Sequence, residues 1–338
     1  MKLIRTEEAV GHVLCHDLTQ IIPGEFKGAR FRKGHIVTQE DVPVLLSMGK
    51  ENLYVWEKDE SMLHENEAAE ILCRISKGEN ISRGEVREGK IELFAEIDGL
   101  FRINKSKLFT VNSVDELMIA TRKSDTAVHK GDKLAGTRVI PLVIKKEKLI
   151  TAEKIAGDTP LLSVLPFTLK KAAIITTGSE VYYGRIEDKF TPVLIKKLKA
   201  YGIEVVSHEM SDDRPEHIRE AIERVQDAAD IILCTGGMSV DPDDNTPGAI
   251  KASGAQIVTY GAPVLPGAMF LLGYFENGKP ILGLPGCVMY AKATIFDLVM
   301  PRIAAGVKLT KRDFVEYGEG GLCLGCEHCH YPNCSFGK

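Results

Sequence analysis

The chain has 338 residues, 44% of them hydrophobic, and a formal net charge of -4. That is enough apolar material for about two or three domains with cores of their own, and the slight acidity gives no global attraction for nucleic acid. The opening run Met1-Lys2-Leu3-Ile4-Arg5-Thr6-Glu7-Glu8 lacks a signal-peptide apolar core and no apolar stretch is long enough to span a bilayer, so a cytoplasmic location without membrane or nucleic-acid partners is expected.

The first half reads as α+β and rich in strands. Helices are expected near Gln39 to Met48 and Glu65 to Lys77. The run Ile91 to Ile97 alternates, turns at Asp98-Gly99 and resumes from Leu100 to Ile103, which signals a hairpin. Lys130 to Ile144 continues as a turn and then a strand. Lys27, Arg30, Arg32 and Lys33 read as a solvated hairpin face, and His12, His16 and His35 as structural or surface groups. We divide this half near Ser61, into segments 1–60 and 61–165, with a boundary around Leu162 to Leu169.

From 166 to 308 the pattern changes to α/β. Short apolar runs at 172–175, 203–206, 231–233 and 281–284 alternate with helical patterns. Leu194, Leu198 and Tyr201 fall on one helical face, as do Ile218, Ala221, Ile222 and Val225, and a last core helix spans roughly Met289 to Ala305. Alternating strands and helices imply a doubly wound, mostly parallel sheet covered on both faces. Such sheets bind ligands beyond the carboxyl ends of their strands.

Three glycine-bearing stretches follow those strands directly. They are Thr176-Thr177-Gly178-Ser179-Glu180, the run Thr235-Gly236-Gly237-Met238-Ser239 leading to Asp244 and Thr246-Pro247, and Leu284-Pro285-Gly286. Glycines let main-chain N–H groups approach a phosphate, and a helix opening near Thr246 adds partial positive charge. A fourth piece, Asp188 before Thr191-Pro192, precedes another helix. Neither the Walker loop nor the dinucleotide fingerprint is present.

These four pieces, in this order between Lys170 and Gly306, resemble the molybdopterin-binding domain shared by the molybdopterin adenylyltransferases and molybdotransferases of molybdenum-cofactor biosynthesis. The resemblance implies a pterin-phosphate ligand, molybdopterin or its adenylylated form. Thr177, Gly178, Ser179, Glu180, Gly236, Gly237, Ser239, Thr246, Pro285 and Gly286 then become the ligand-binding candidates. Asp188 and Asp244 become the catalytic candidates, holding magnesium against phosphate or hydrogen-bonding the pterin edge. Taken singly, each aspartate reads as a helix cap and each glycine as a turn. Two family features are absent: the stretch Gly261 to Gly267 carries no lysine, and no Ser-Ala-Met-Asp-Gly signature occurs in residues 1–165. The retained aspartates favour a magnesium-dependent transferase acting as a homo-oligomer. The missing lysines favour a non-catalytic carrier or sensor that docks on a molybdoenzyme.

Segment 309–338 holds Cys323, Cys326, Cys329 and Cys334, spaced C-x2-C-x2-C-x4-C, with His328 and His330 interleaved. Clustered thiols in a cytosolic chain point to a metal, either zinc, with His330 as a substitute ligand, or an iron–sulfur cluster. This glycine-bearing tail is expected to be separable, so that deleting residues 318 to 338 leaves the α/β domain folded. Cys15, Cys73 and Cys234 read as buried structural thiols, with Cys287 set apart by its place after Pro285-Gly286.

Overall fold

The computed structural model describes residues 2–22, 24–55 and 60–338. Packing groups the chain differently from the four consecutive segments read from sequence. One compact unit comprises Met1–Glu96, Ile103–Arg122 and Lys130–Ser163, and a second comprises Ile97–Arg102, Lys123–His129 and Val164–Lys338.

In the first unit, strands Leu18–Ile22 and Phe26–Phe31 form a hairpin, and Lys2–Arg5 pairs antiparallel with Asn52–Val55. Helix Asp41–Ser47 contributes Leu45 to a small core with Leu14, Leu53 and Val55. A four-stranded sheet runs Ile81–Arg83, Lys90–Ala95, Lys133–Val139, Leu117–Thr121. Helix Glu65–Ser76 buries Ala68, Ala69, Leu72 and Ile75, the spacing that one helical face dictates. Its start is fixed by His64, whose Nδ1 accepts from Asn66 N while Glu67 accepts from His64 N.

The hairpin expected around Asp98-Gly99 does not form. Lys90–Ala95 pairs with Lys133–Val139 in the first unit, whereas Gly99–Ile103 pairs with Thr126–Val128 and its residues up to Arg102 belong to the second. The first run alternates in burial as expected, but alternation does not say which partner a strand takes. The stretch expected as one strand to Ile144 is two, Lys133–Val139 and Val143–Lys145.

The second unit is built on a six-stranded sheet in the order Glu204–Ser211, Lys171–Thr177, Ile231–Thr235, Pro280–Leu284, Leu271–Tyr274, Gln256–Tyr260. The first four are mutually parallel and Leu271–Tyr274 is antiparallel to both its neighbours. Alternate residues of Lys171–Thr177 enter different cores. Ala172 and Ile174 join Leu194, Leu198, Phe296 and Val299 on one face, while Ala173 and Ile175 join Ile218, Ile222 and Ile250 on the other. Helices Phe190–Lys199 and Ile295–Ala304 therefore cover one side, and Pro215–Val225 and Thr246–Ala252 the other. This is the doubly wound, mostly parallel α/β architecture, and it explains why its central strands read as unbroken apolar runs.

The last core helix starts at Ile295, later than the expected Met289. Thr294 Oγ1 accepts from Phe296 N, Asp297 Oδ2 accepts from Thr294 N, and residues Gly286–Met289 form a separate 3-10 turn.

The structure also differs from the expectation of a separable tail. Phe336 is 3% exposed and belongs to the same core as Phe296 and Phe314. Tyr331 Oη donates to Asp297 O at 2.9 Å, and Gly337 N to Gly320 O at 2.8 Å. Removing residues 318 to 338 would uncover that surface. No helix among the described residues is long and apolar enough to cross a membrane.

Candidate functional site

The parallel register puts Thr177, Ser211, Thr235 and Leu284 at one edge of the sheet, so the loops after them meet there. Thr177 is buried and its Oγ1 donates to Thr235 O at 3.0 Å while lying 2.9 Å from Thr246 Oγ1. This hydroxyl pair binds the first loop to the start of helix Thr246–Ala252. Gly236 has φ +86°, and a Cβ there would collide with the Thr177 carbonyl. Glycine at this position is what lets the two loops touch. Gly237, at φ +51°, has Thr246 Oγ1 similarly close.

The first loop is held from the end of strand Glu204–Ser211, of which the sequence reading placed only the apolar start at 203–206. Ser179 N donates to Asp213 Oδ2 at 2.8 Å, and Gly178 N to Ser211 O at 3.1 Å. Asp213 O in turn accepts from Asn245 Nδ2 at 2.9 Å, which links three loops. Asp212, 2% exposed, accepts from Arg214 Nε at 2.8 Å, and the guanidinium holds its carboxyl below the usual carboxylate range. The signal available was on the helix side alone: Asp212-Asp213-Arg214 stands directly before Pro215, which opens a helix. Glu180 is exposed at the mouth, and Ser239 is exposed on the second loop. Pro285 is buried and opens the 3-10 turn, with Gly286 exposed beside it and room for a Cβ.

The two catalytic candidates differ. Asp188 is engaged at both oxygens: Oδ1 accepts from Phe190 N and Thr191 N at 2.8 and 3.1 Å, and Oδ2 from Thr191 Oγ1 and Thr176 Oγ1 at 2.6 and 3.1 Å. It therefore caps helix Phe190–Lys199. Burial alone would raise its carboxyl, but these hydrogen bonds hold it below its ordinary value. His208 Nε2 lies 3.0 Å from Thr176 Oγ1 and 3.1 Å from Thr191 Oγ1, completing a polar knot under the edge. Asp244 is half-exposed, and Oδ2 accepts only a 3.2 Å bond from Asp241 N. Tyr260 Oη donates to Met238 O and Ser239 O, anchoring that loop from the far edge strand. The main-chain N–H groups of Gly237, Met238 and Ser239 have no acceptor among the described residues.

Residues 173–305 match a family described as "Probable molybdopterin binding domain". This stretch belongs to the molybdopterin-binding domain family. Residues 3–57 match a separate family described as "Domain of unknown function (DUF8806)". The chain is similar to a Bacillus cereus protein named "Putative competence-damage inducible protein", 31% identical over 129 residues, 36% of this chain and 31% of that one. It is similar at greater length to a molybdopterin molybdenumtransferase of Staphylococcus epidermidis, 25% identical over 305 residues, 84% of this chain and 66% of that one. The chain thus spans about a third of the first relative and just under two thirds of the second. Among solved structures, the molybdopterin biosynthesis enzyme MoaB of Thermus thermophilus aligns with 40% of this chain and 97% of its own, at 20% identity and TM-score 0.33. The molybdopterin biosynthesis MoeA protein of Pyrococcus horikosii aligns with 72% and 80%, at 17% identity and TM-score 0.35.

The molybdopterin-binding domain does not include the cysteine run. Cys323 and Cys334 are half-buried, Cys326 and Cys329 exposed, and none forms a disulfide. Among the described residues, no group of three or more His, Cys, Asp or Glu side chains is placed to hold one metal ion. Cys15, Cys73 and Cys234 are buried as expected, with burial pushing the Cys234 thiol up to about 12. Cys287 is half-buried, and burial raises its thiol as well.

Proposed function

We propose that this chain binds molybdopterin or its adenylylated form across the loops after Thr177, Thr235 and Leu284, and acts on it in molybdenum cofactor biosynthesis as a magnesium-dependent transferase. One observation carries the reading: the N–H groups of Gly237 to Ser239, which meet no acceptor among the described residues, stand on the loop that also bears Asp244. Backbone donors of this kind are suited to the terminal phosphate of the pterin. Ser179, Glu180, Ser239 and Gly286 offer further polar or close main-chain approaches.

Magnesium is commonly held by one or two carboxylates together with substrate phosphate oxygens. Asp244, with one oxygen lightly engaged, suits that role. Asp188, whose oxygens accept four hydrogen bonds, suits the positioning of helix Phe190–Lys199. The ion, when bound, would neutralise phosphate charge; orientation and exclusion of alternatives fall to Thr177, Thr246, Asp213 and Asn245.

A second reading, a non-catalytic carrier or sensor docking on a molybdoenzyme, is favoured by the stretch Gly261 to Gly267. It lacks the lysines implied by the resemblance, and Leu265 is engaged by the tail through bonds of 2.8 Å from its N to Gly321 O and from Cys323 N to its O. In either reading the tail thiols hold a metal centre. Assays with molybdopterin plus ATP, and with adenylylated molybdopterin plus molybdate, separate the two: magnesium-dependent product in one supports the enzyme, and saturable binding with no product in both supports the carrier.

A further inference from the structure

Cys323, Cys326, Cys329 and Cys334 all line one cavity of about 290 Å³ inside the second unit. Its remaining wall is largely apolar, including Ala293, Tyr331 and Phe336, and also takes in Lys292 and His330. The chain on either side is fixed. Before the run, Leu265 N and Gly321 O, and Cys323 N and Leu265 O, form a short parallel bridge. After it, Phe336 is buried, and a Cβ on Gly337 would collide with Leu298. Gly321 is equally constrained, since a Cβ there would meet the Tyr317 and Pro263 carbonyls. The four cysteines therefore line one space, flanked on both sides by chain that packing fixes.

A single zinc ion needs all its sulfurs about 2.3 Å from one point. Among the described residues, no three of these thiols are placed to hold one ion. Thiolates spaced around a cavity instead suit a polynuclear centre, in which each sulfur takes a different metal. We propose that Cys323, Cys326, Cys329 and Cys334 ligate a four-iron, four-sulfide cluster in this cavity. The proposal rests on the preceding reading that the tail holds a metal centre, and specifies which. Two ferrous and two ferric ions with four sulfides make the dicationic core with no net electron transfer; each thiol gives its proton to solvent and its sulfur displaces water from one iron. Four thiolates around the dicationic core leave a dianionic centre, partly offset by Lys292. The exposed Cys326 and Cys329 leave one edge of the cluster open to electron exchange.

The test uses full-length protein purified without oxygen and incubated with equal ferrous and ferric iron plus sulfide, or with zinc alone. We expect about four iron and four sulfide per chain and broad visible absorption that dithionite bleaches. Cys326→Ser and Cys329→Ser should each lose more than half the iron, with the unfolding midpoints of the metal-free proteins unchanged, and the loaded parent should resist iodoacetamide at both positions. Zinc retained at one per chain without iron overturns the cluster and leaves the metal centre standing. Retention of neither metal, or iron content identical in parent and both variants, overturns both.

Discussion

Thr177 Oγ1 and Thr246 Oγ1 lie 2.9 Å apart in the interior of the second unit, joining the loop after the first sheet strand to a helix 69 positions further along. The same Thr177 hydroxyl reaches Thr235 O, so one side chain ties together two of the ligand-binding stretches. Thr177→Val keeps the shape and removes the donor, leaving a buried carbonyl and hydroxyl short of a partner. We expect a loss of about 1–3 kcal/mol in denaturant unfolding. A variant as stable as the parent would show that the pair is not a structural tie.

The two glycines Gly236 and Gly286 should behave differently. Gly236→Ala adds a Cβ against the Thr177 carbonyl at φ +86°, and should cost more than about 1 kcal/mol of stability. Gly286→Ala has open space, so stability should stay within about 0.5 kcal/mol of the parent. If main chain there approaches the ligand, Gly286→Ala still weakens binding, by about tenfold or 1.4 kcal/mol. Thermal melts and titrations on the same samples separate the two effects.

Asp188 makes stability depend on pH. Burial would raise its carboxyl, but the bonds from Thr191, Phe190 and Thr176 hold the folded pKa below the ordinary 3.8. A lowered folded pKa contributes stability that is present above the unfolded value and lost as pH falls through the folded one. Asp188→Asn should therefore cost about 0.5–2 kcal/mol near neutrality, the range for a lost cap. The gap between the two proteins should narrow as pH falls from neutral toward about 3. A gap that is constant across that window would contradict the assignment of the charged cap.

Thiol reactivity maps burial directly. In metal-free protein, Cys326 and Cys329 should react first with iodoacetamide, and Cys15, Cys73 and Cys234 should remain unmodified until unfolding. Mass spectrometry of peptides from a time course reads the order. Early labelling of Cys234, whose thiol is pushed up to about 12 by burial, would contradict the core described above.

Much of the second unit was legible in sequence because its strands are buried on both faces and its helices are amphipathic. Ile174 is announced by an unbroken apolar run and Leu194 by helical period. Partner choice was not legible: Lys90–Ala95 and Gly99–Ile103 look like a hairpin, and only tertiary packing sends them to different sheets. The strand Glu204–Ser211 was recognised only in its apolar first half, because its later residues, including His208, Glu209 and Met210, do not alternate by polarity. That concealed Asp212 and Asp213 at its end. The tail misled for a related reason, since glycine-rich composition hides that Gly321 and Gly337 are glycines because packing leaves no room for a Cβ.

The most direct test of the account is an equilibrium titration of the full-length chain with molybdopterin, with and without magnesium, alongside Asp244→Asn and Gly286→Ala. The account predicts saturable binding near one equivalent, about tenfold weaker for Gly286→Ala in either condition and about tenfold weaker for Asp244→Asn only when magnesium is present. Folded variants that both bind like the parent, or a parent that shows no saturable binding, would contradict it.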